Sequence, residues 1–139
     1  MKKFLLLMLV LCAVNIFGAP ENKIIRNNSG QIVGRSSTNG NVTVYRDAQG
    51  RIISTAVKNN NRTVYRDANG KIIRQATENN NRIVYRDASG RIEAVETKNK
   101  DTSVIRDAGG RIVGHKKESN GTVTYRNNKG TTVFRSEKR

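Results

Sequence analysis

From residue 20 onward, β-branched and aromatic residues come in short runs that alternate with polar ones, and each run ends in a turn signal. Val42-Thr43-Val44-Tyr45-Arg46-Asp47 predicts one strand, and Arg51 to Val57 predicts the next, because alternation with period two marks a half-buried strand. Asp47-Ala48-Gln49-Gly50 lies between them. Asp at the first turn position bonds the backbone two residues on, and Gly at the fourth accepts positive φ, so a type I turn with a Gly bulge is expected. The other connection is rich in Asn: Asn59-Asn60-Asn61 and Asn79-Asn80-Asn81, with Asn39-Gly40-Asn41 and Ser119-Asn120-Gly121 as variants. Asn tolerates the left-handed region. Alternation places Thr43, Tyr45 and Asp47 on one face of the strand and Val42, Val44 and Arg46 on the other.

This pattern repeats every twenty residues. Tyr45, Tyr65, Tyr85 and Tyr125 keep one phase, with Ile25 and Ile105 completing the series. Arg26, Arg46, Arg66, Arg86, Arg106 and Arg126 follow one residue later, and Gly30, Gly50, Gly70, Gly90, Gly110 and Gly130 keep step. Six units (20–39, 40–59, 60–79, 80–99, 100–119 and 120–139) account for residues 20–139 as a single domain, and such self-similarity is the signature of a repeat architecture.

The expected fold is all-β: six tandem β-hairpin repeats in an antiparallel meander sheet. A parallel β-solenoid with one unit per coil is the alternative. Charge separates the two. A solenoid would stack the in-phase arginines ~4.8 Å apart, where a like pair costs about 1 kcal/mol even in water. A meander spaces them ~9.6 Å apart, near the Debye length. Because both faces carry apolar and charged residues, the sheet is expected to fold over on itself or to stay a single layer, with two short open edges.

Composition supports a thin β core. Residues 20–139 contain 11 Val, 11 Ile, 4 Tyr and 1 Phe, and no Leu, Met, Trp or Cys. A helical core without Leu is contrary to helix propensities, and a disulfide scaffold is excluded. The same residues hold 24 Lys+Arg against 11 Asp+Glu, a net charge of +13. Ahead of them, Met1-Lys2-Lys3, the apolar run Phe4–Val14 and small residues ending at Ala19 have the order of a signal peptide, assigned here to residues 1–19. The apolar run is too short to span a bilayer as a helix. An exported protein, periplasmic or secreted, is expected. Leu11 before Cys12 departs from a lipobox, so lipidation at Cys12 is not expected.

The segment Asp67-Ala68-Asn69-Gly70-Lys71 resembles the latter half of the YD repeat of Rhs-type and teneurin-type proteins, whose core is Tyr-Asp-x-x-Gly-Arg. Arg66 separates Tyr65 from Asp67, so the signature dipeptide itself is absent. The resemblance implies a β-hairpin repeat. That family builds large shells around cargo, a function that six units are too few to take over.

Catalytic chemistry has little to work with. His115 is the one histidine, and Cys12 lies in the signal. No nucleophile–base set and no Cys/His metal set can be assembled. Asp47, Asp67, Asp87 and Asp107 are explained as turn residues, and the glycines are too dispersed for a phosphate loop. A non-enzymatic protein without metal or cofactor is expected.

The basic excess remains. Arg26, Arg46, Arg66, Arg86, Arg106 and Arg126, with Arg51, Lys71, Arg91 and Arg111 after the turns, would form stripes across the sheet. Arg grips phosphate or carboxylate bidentately. The expected partner is therefore a polyanion: lipopolysaccharide, acidic polysaccharide or nucleic acid. The tyrosines are read as packing residues, with base stacking as their other use. The alternative function is a structural or interaction module whose open edges add strands to an envelope protein or to a second copy.

Overall fold

The structure, a computed structural model, describes residues 20–139. Residues 1–19, read above as a signal peptide, and Cys12 among them lie outside the described residues. Twelve strands follow one another: β1 (Glu21–Asn27), β2 (Ile32–Asn39), β3 (Val42–Asp47), β4 (Ile52–Asn59), β5 (Arg62–Asp67), β6 (Ile72–Asn79), β7 (Arg82–Asp87), β8 (Ile92–Asn99), β9 (Thr102–Asp107), β10 (Ile112–Ser119), β11 (Thr122–Asn127) and β12 (Thr132–Lys138). Each strand pairs antiparallel with its sequence neighbours, so the hairpin meander is present and a parallel solenoid is not.

The two kinds of turn follow the local chemistry. In the first, the amide of Gly50 donates to the carbonyl of Asp47 at 3.1 Å, and the amide of Asp47 donates to the carbonyl of Arg51 at 2.9 Å. Arg51 thereby belongs to the turn, and β4 begins at Ile52. Gly50 has φ +86°, which a side chain would oppose. Beyond the turn, the register slips by one between Tyr45 and Arg46, leaving Ile53 as a bulge. In the second kind, the first loop residue is left-handed: Gly40 (φ 60°), Asn60 (54°), Asn80 (53°), Lys100 (56°) and Asn120 (51°).

The expectation of open edges is wrong. β1 pairs β12 from Lys23↔Lys138 to Asn27↔Phe134, and the sheet closes into a barrel. The register gives the reason. The route Tyr45↔Ser54↔Asp67 lands two residues beyond Tyr65, the equivalent of Tyr45 in the next unit. Repeated through the remaining units and the Asn27↔Phe134 seam, this makes a shear of twelve for twelve strands. Strands then tilt by roughly 35–45°, and a twisted sheet of that size meets its own edge. Closure satisfies the edge amides and carbonyls that a meander leaves open. At the seam, Glu21–Lys138 (3.1 Å) and Arg26–Glu137 (3.6 Å) are ion pairs from β1 to β12.

Equal shear for every unit gives the barrel six-fold pseudo-symmetry, so equivalent residues form rings. Tyr45, Tyr65, Tyr85 and Tyr125, with Ile25 and Ile105, ring the interior and are all buried. Small residues flank the rings of Tyr on the neighbouring strands: Ser36 and Ser54 beside Tyr45, Ala56 beside Tyr65, Ala76 and Ala94 beside Tyr85. Alternating large and small residues fill a barrel that uniform large ones would overpack. A Cβ on Gly114 would collide with the Tyr125 ring, which passes over it.

The interior also holds charge. Glu96 is fully buried; its carboxylate lies 2.9 Å from Lys116 Nζ and accepts a 3.3 Å bond from the Ser103 hydroxyl. Arg74, 5% exposed, donates from Nε to Glu93 at 2.5 Å. Toward the Asn turns, Glu78 lies between Lys58 (3.5 Å) and Lys98 (2.8 Å).

Candidate functional site

The barrel has two unlike rims. One carries the Asn turns together with the start of β1 and the end of β12, where the amide of Arg139 donates to Asn22. Two sets of its charges pair, Lys58–Glu78–Lys98 and Lys23–Glu21–Lys138. The other rim carries the turns that begin with Asp47, Asp67, Asp87 and Asp107, and with Asn27 and Asn127 in the first and last hairpins.

Closure brings all ten cations predicted from the sequence to this second rim. Arg26, Arg46, Arg66, Arg86, Arg106 and Arg126 point outward from the odd strands one residue before the turn. Arg51, Lys71, Arg91 and Arg111 leave the turn on its far side, and all four are exposed. With Lys129 of the last turn, eleven cations stand beside the four turn aspartates there, and Arg26 also pairs with Glu137 at 3.6 Å. They form a ring rather than stripes across an open sheet.

The turn occupies each acidic side chain. Oδ1 of Asp47 accepts from the amides of Gln49 (3.0 Å) and Arg51 (2.9 Å), and Oδ2 accepts from Arg51 Nε at 2.7 Å. Desolvation in the turn opposes the charge, but the Arg51 amide and guanidinium and the Gln49 amide outweigh it and hold the Asp47 carboxyl below its ordinary value. At Asp87 the Ser89 hydroxyl, donating at 2.7 Å, is the largest influence; against some desolvation, it and the amides of Arg91 and Ser89 also lower the value. In the first and last turns, the Asn27 and Asn127 side-chain oxygens take the same pair of amides. The aspartates are thus turn elements.

The arginines before the turns have a second task that sequence reasoning missed. Nη1 donates to the carbonyl of the turn glycine: Arg26 to Gly30 (2.9 Å), Arg46 to Gly50 (3.1 Å), Arg66 to Gly70 (3.0 Å), Arg86 to Gly90 (3.0 Å) and Arg106 to Gly110 (3.3 Å). The spacing of four between Arg and Gly in each unit was the available signal. The clamp fixes where each guanidinium sits. It uses one of the five N–H groups of the fork.

The tyrosines face the interior, 0–5% exposed, and so cannot stack bases. Burial pushes the Tyr85 phenol well above its ordinary value, with the charge of Glu96 adding to the effect. His115 stands exposed on the outer wall, across from Arg126 and Val104. Among the described residues, no three His, Cys, Asp or Glu side chains gather as a metal set.

The sequence reading also missed the interior ion pairs. Their signal was departure from the repeat. Arg74 stands where other units have Gly34, Ser54, Ala94, Gly114 and Phe134, and Glu93 stands where they have Val33, Ile53, Ile73, Val113 and Val133. Comparison of the chain with family models, with curated proteins and with solved structures finds no match.

Proposed function

We propose that this chain is an exported, non-enzymatic β-barrel that binds a polyanion of the cell envelope or the extracellular space through its Asp-turn rim. One observation carries this reading: ten in-phase cations converge on one end of the barrel, where the turns already occupy the four carboxylates. Such a ring concentrates positive potential at one end of the barrel. Guanidiniums held by the glycine carbonyls keep free N–H groups for phosphate, sulfate or carboxylate. Lipopolysaccharide, acidic polysaccharide and nucleic acid all present such groups.

Closure of the sheet leaves no free edge between β1 and β12, so strand addition has nothing to pair with and is not proposed. The outer wall does not suit a barrel that spans a membrane. Its strands have six to eight residues, fewer than the ~9–11 a spanning strand needs, and Arg62, Arg82, Lys117 and Arg135 are exposed on it.

The test is heparin-affinity chromatography across a salt gradient. Arg51, Lys71, Arg91 and Arg111 are replaced by Ser, since all but Arg51 lie outside the side-chain contacts of the turn. Elution should move to markedly lower salt while the circular dichroism spectrum and Tm stay close to those of the parent. Elution at unchanged salt would refute the reading.

A further inference from the structure

The exposed apolar residues of the wall gather at the same rim. Ile52 (43% exposed), Ile92 (38%), Ile112 (38%) and Val113 (37%) all lie there, and only Val42 (37%) lies toward the other end. The bulge that follows each turn explains the first three. At Ile52-Ile53 the bulge turns the second residue toward the core, where Ile53 packs, and leaves the first outside; Val113 at the equivalent second position stays exposed.

The register then sets each of these isoleucines beside an arginine. The directly opposed pairs are Arg26↔Ile32, Arg46↔Ile52, Arg66↔Ile72, Arg86↔Ile92 and Arg106↔Ile112. Only the last hairpin differs, with Arg126↔Thr132. A collar results in which guanidinium and branched alkyl side chains alternate at the strand spacing of ~4.8 Å. Glu21 of β1 and Lys138 of β12 lie at the opposite rim, where the amide of Arg139 donates to Asn22.

A soluble polyanion would use the arginines and leave the isoleucines in water. An anionic lipid surface uses both, because its headgroup layer offers phosphate to cations and glycerol and methylene carbon to alkyl side chains at nearly the same depth. Resting on the cationic-rim reading above, we propose that the rim docks end-on to a bilayer of anionic phospholipid. The turns enter the headgroup layer first, the arginines engage its phosphates, and the isoleucine collar packs against headgroup and glycerol carbon at the same level. The short, singly layered collar gives reversible surface attachment, not insertion.

The experiment uses the exported full-length protein and three probes: vesicles of equimolar phosphatidylglycerol and phosphatidylcholine, vesicles of phosphatidylcholine alone, and heparin. The triple variant Ile52→Thr, Ile92→Thr and Ile112→Thr takes the residue already present at Thr132 and keeps β-branching. Its binding to the anionic vesicles should fall about tenfold or more, with heparin elution unchanged. Should the triple variant fail to fold, Ile92→Trp is the second probe. The chain has no Trp, so its emission reports one place. It should shift to the blue with anionic vesicles and not with heparin.

Equal vesicle binding by the folded triple variant, or a Trp emission that does not shift, would overturn the docking while leaving polyanion binding intact. Sedimentation of the Trp variant as a rim-to-rim dimer, with the blue shift already present in free protein, would also overturn it. Failure of the parent protein to bind either heparin or anionic vesicles would remove the underlying reading as well.

Discussion

Arg74 of β6 and Glu93 of β8 meet at 2.5 Å although nineteen residues separate them. Each breaks the repeat at its own position, and they break it with opposite charge in adjacent units. Arg74 is 5% exposed, whereas the Glu93 side chain keeps 28% of its exposure. The pair therefore reaches from the interior to the groove between the turns of two hairpins. The two departures compensate one another.

That compensation is testable. Glu93→Ile alone leaves a buried guanidinium without its carboxylate and should cost about 3 kcal/mol, the lower end of the range for breaking buried pairs because Glu93 is partly solvated. Adding Arg74→Ser restores the pattern of the other units and should return most of that loss, since replacing a whole buried pair is often neutral. Urea unfolding of both single variants and the double variant gives the coupling. Additive losses would mean that the two residues are independent.

Gly114 and Gly50 should fail for different reasons. A Cβ at Gly114 meets the hydroxyl and ring of Tyr125 and comes within 2.6 Å of the Arg126 carbonyl oxygen. Gly114→Ala should cost about 3 kcal/mol or displace Tyr125. Gly50→Ala has open space around it but φ +86°, so its cost should be about 1–2 kcal/mol. Gly114→Ala combined with Tyr125→Phe should recover part of the first loss and would have no reason to alter the second. Thermal unfolding monitored by circular dichroism distinguishes the cases.

Lys100 occupies the left-handed position that Asn60, Asn80 and Asn120 hold in sister turns, with φ 56°. Lys100→Asn should stabilise the barrel by about 0.5–1 kcal/mol. The gain should appear as a raised Tm, and a fall in Tm would count against the assignment of strain.

Stability should fall at both ends of the pH range. At Glu21, burial opposes ionisation but Lys138 and Lys23 outweigh it; at Glu78, burial is likewise outweighed by Lys98 and Lys58. Both carboxyls are held below their ordinary value. A lowered folded value contributes stability that is complete above the unfolded value, about 4.3 for Glu, and is lost as pH falls through the folded value. Acid unfolding is therefore expected below about pH 4. Tyr85 has the opposite sign. Its raised value leaves stability intact below about pH 10 and removes it as pH rises further. Absorbance at 295 nm should show phenol ionisation coinciding with unfolding. Tyr85→Phe should weaken the alkaline transition, and early ionisation of all four tyrosines in a folded protein would contradict the burial.

The twenty-residue period, both turn types, the division of each strand into two faces and the place of the cations before and after the turn were legible in the residues. These are local properties. A hairpin is specified by the turn that closes it and by alternation along two strands, and both lie within one unit. Closure was not legible, because it follows from the two-residue register advance accumulated over six units together with the twist of the whole sheet. Tertiary structure decided that the arginine rows become a ring at one end, that isoleucine alternates with arginine there, and that opposite charges from neighbouring units meet inside. Each depends on which residue of one hairpin faces which residue of the next, and the wall sets that only once β12 reaches β1.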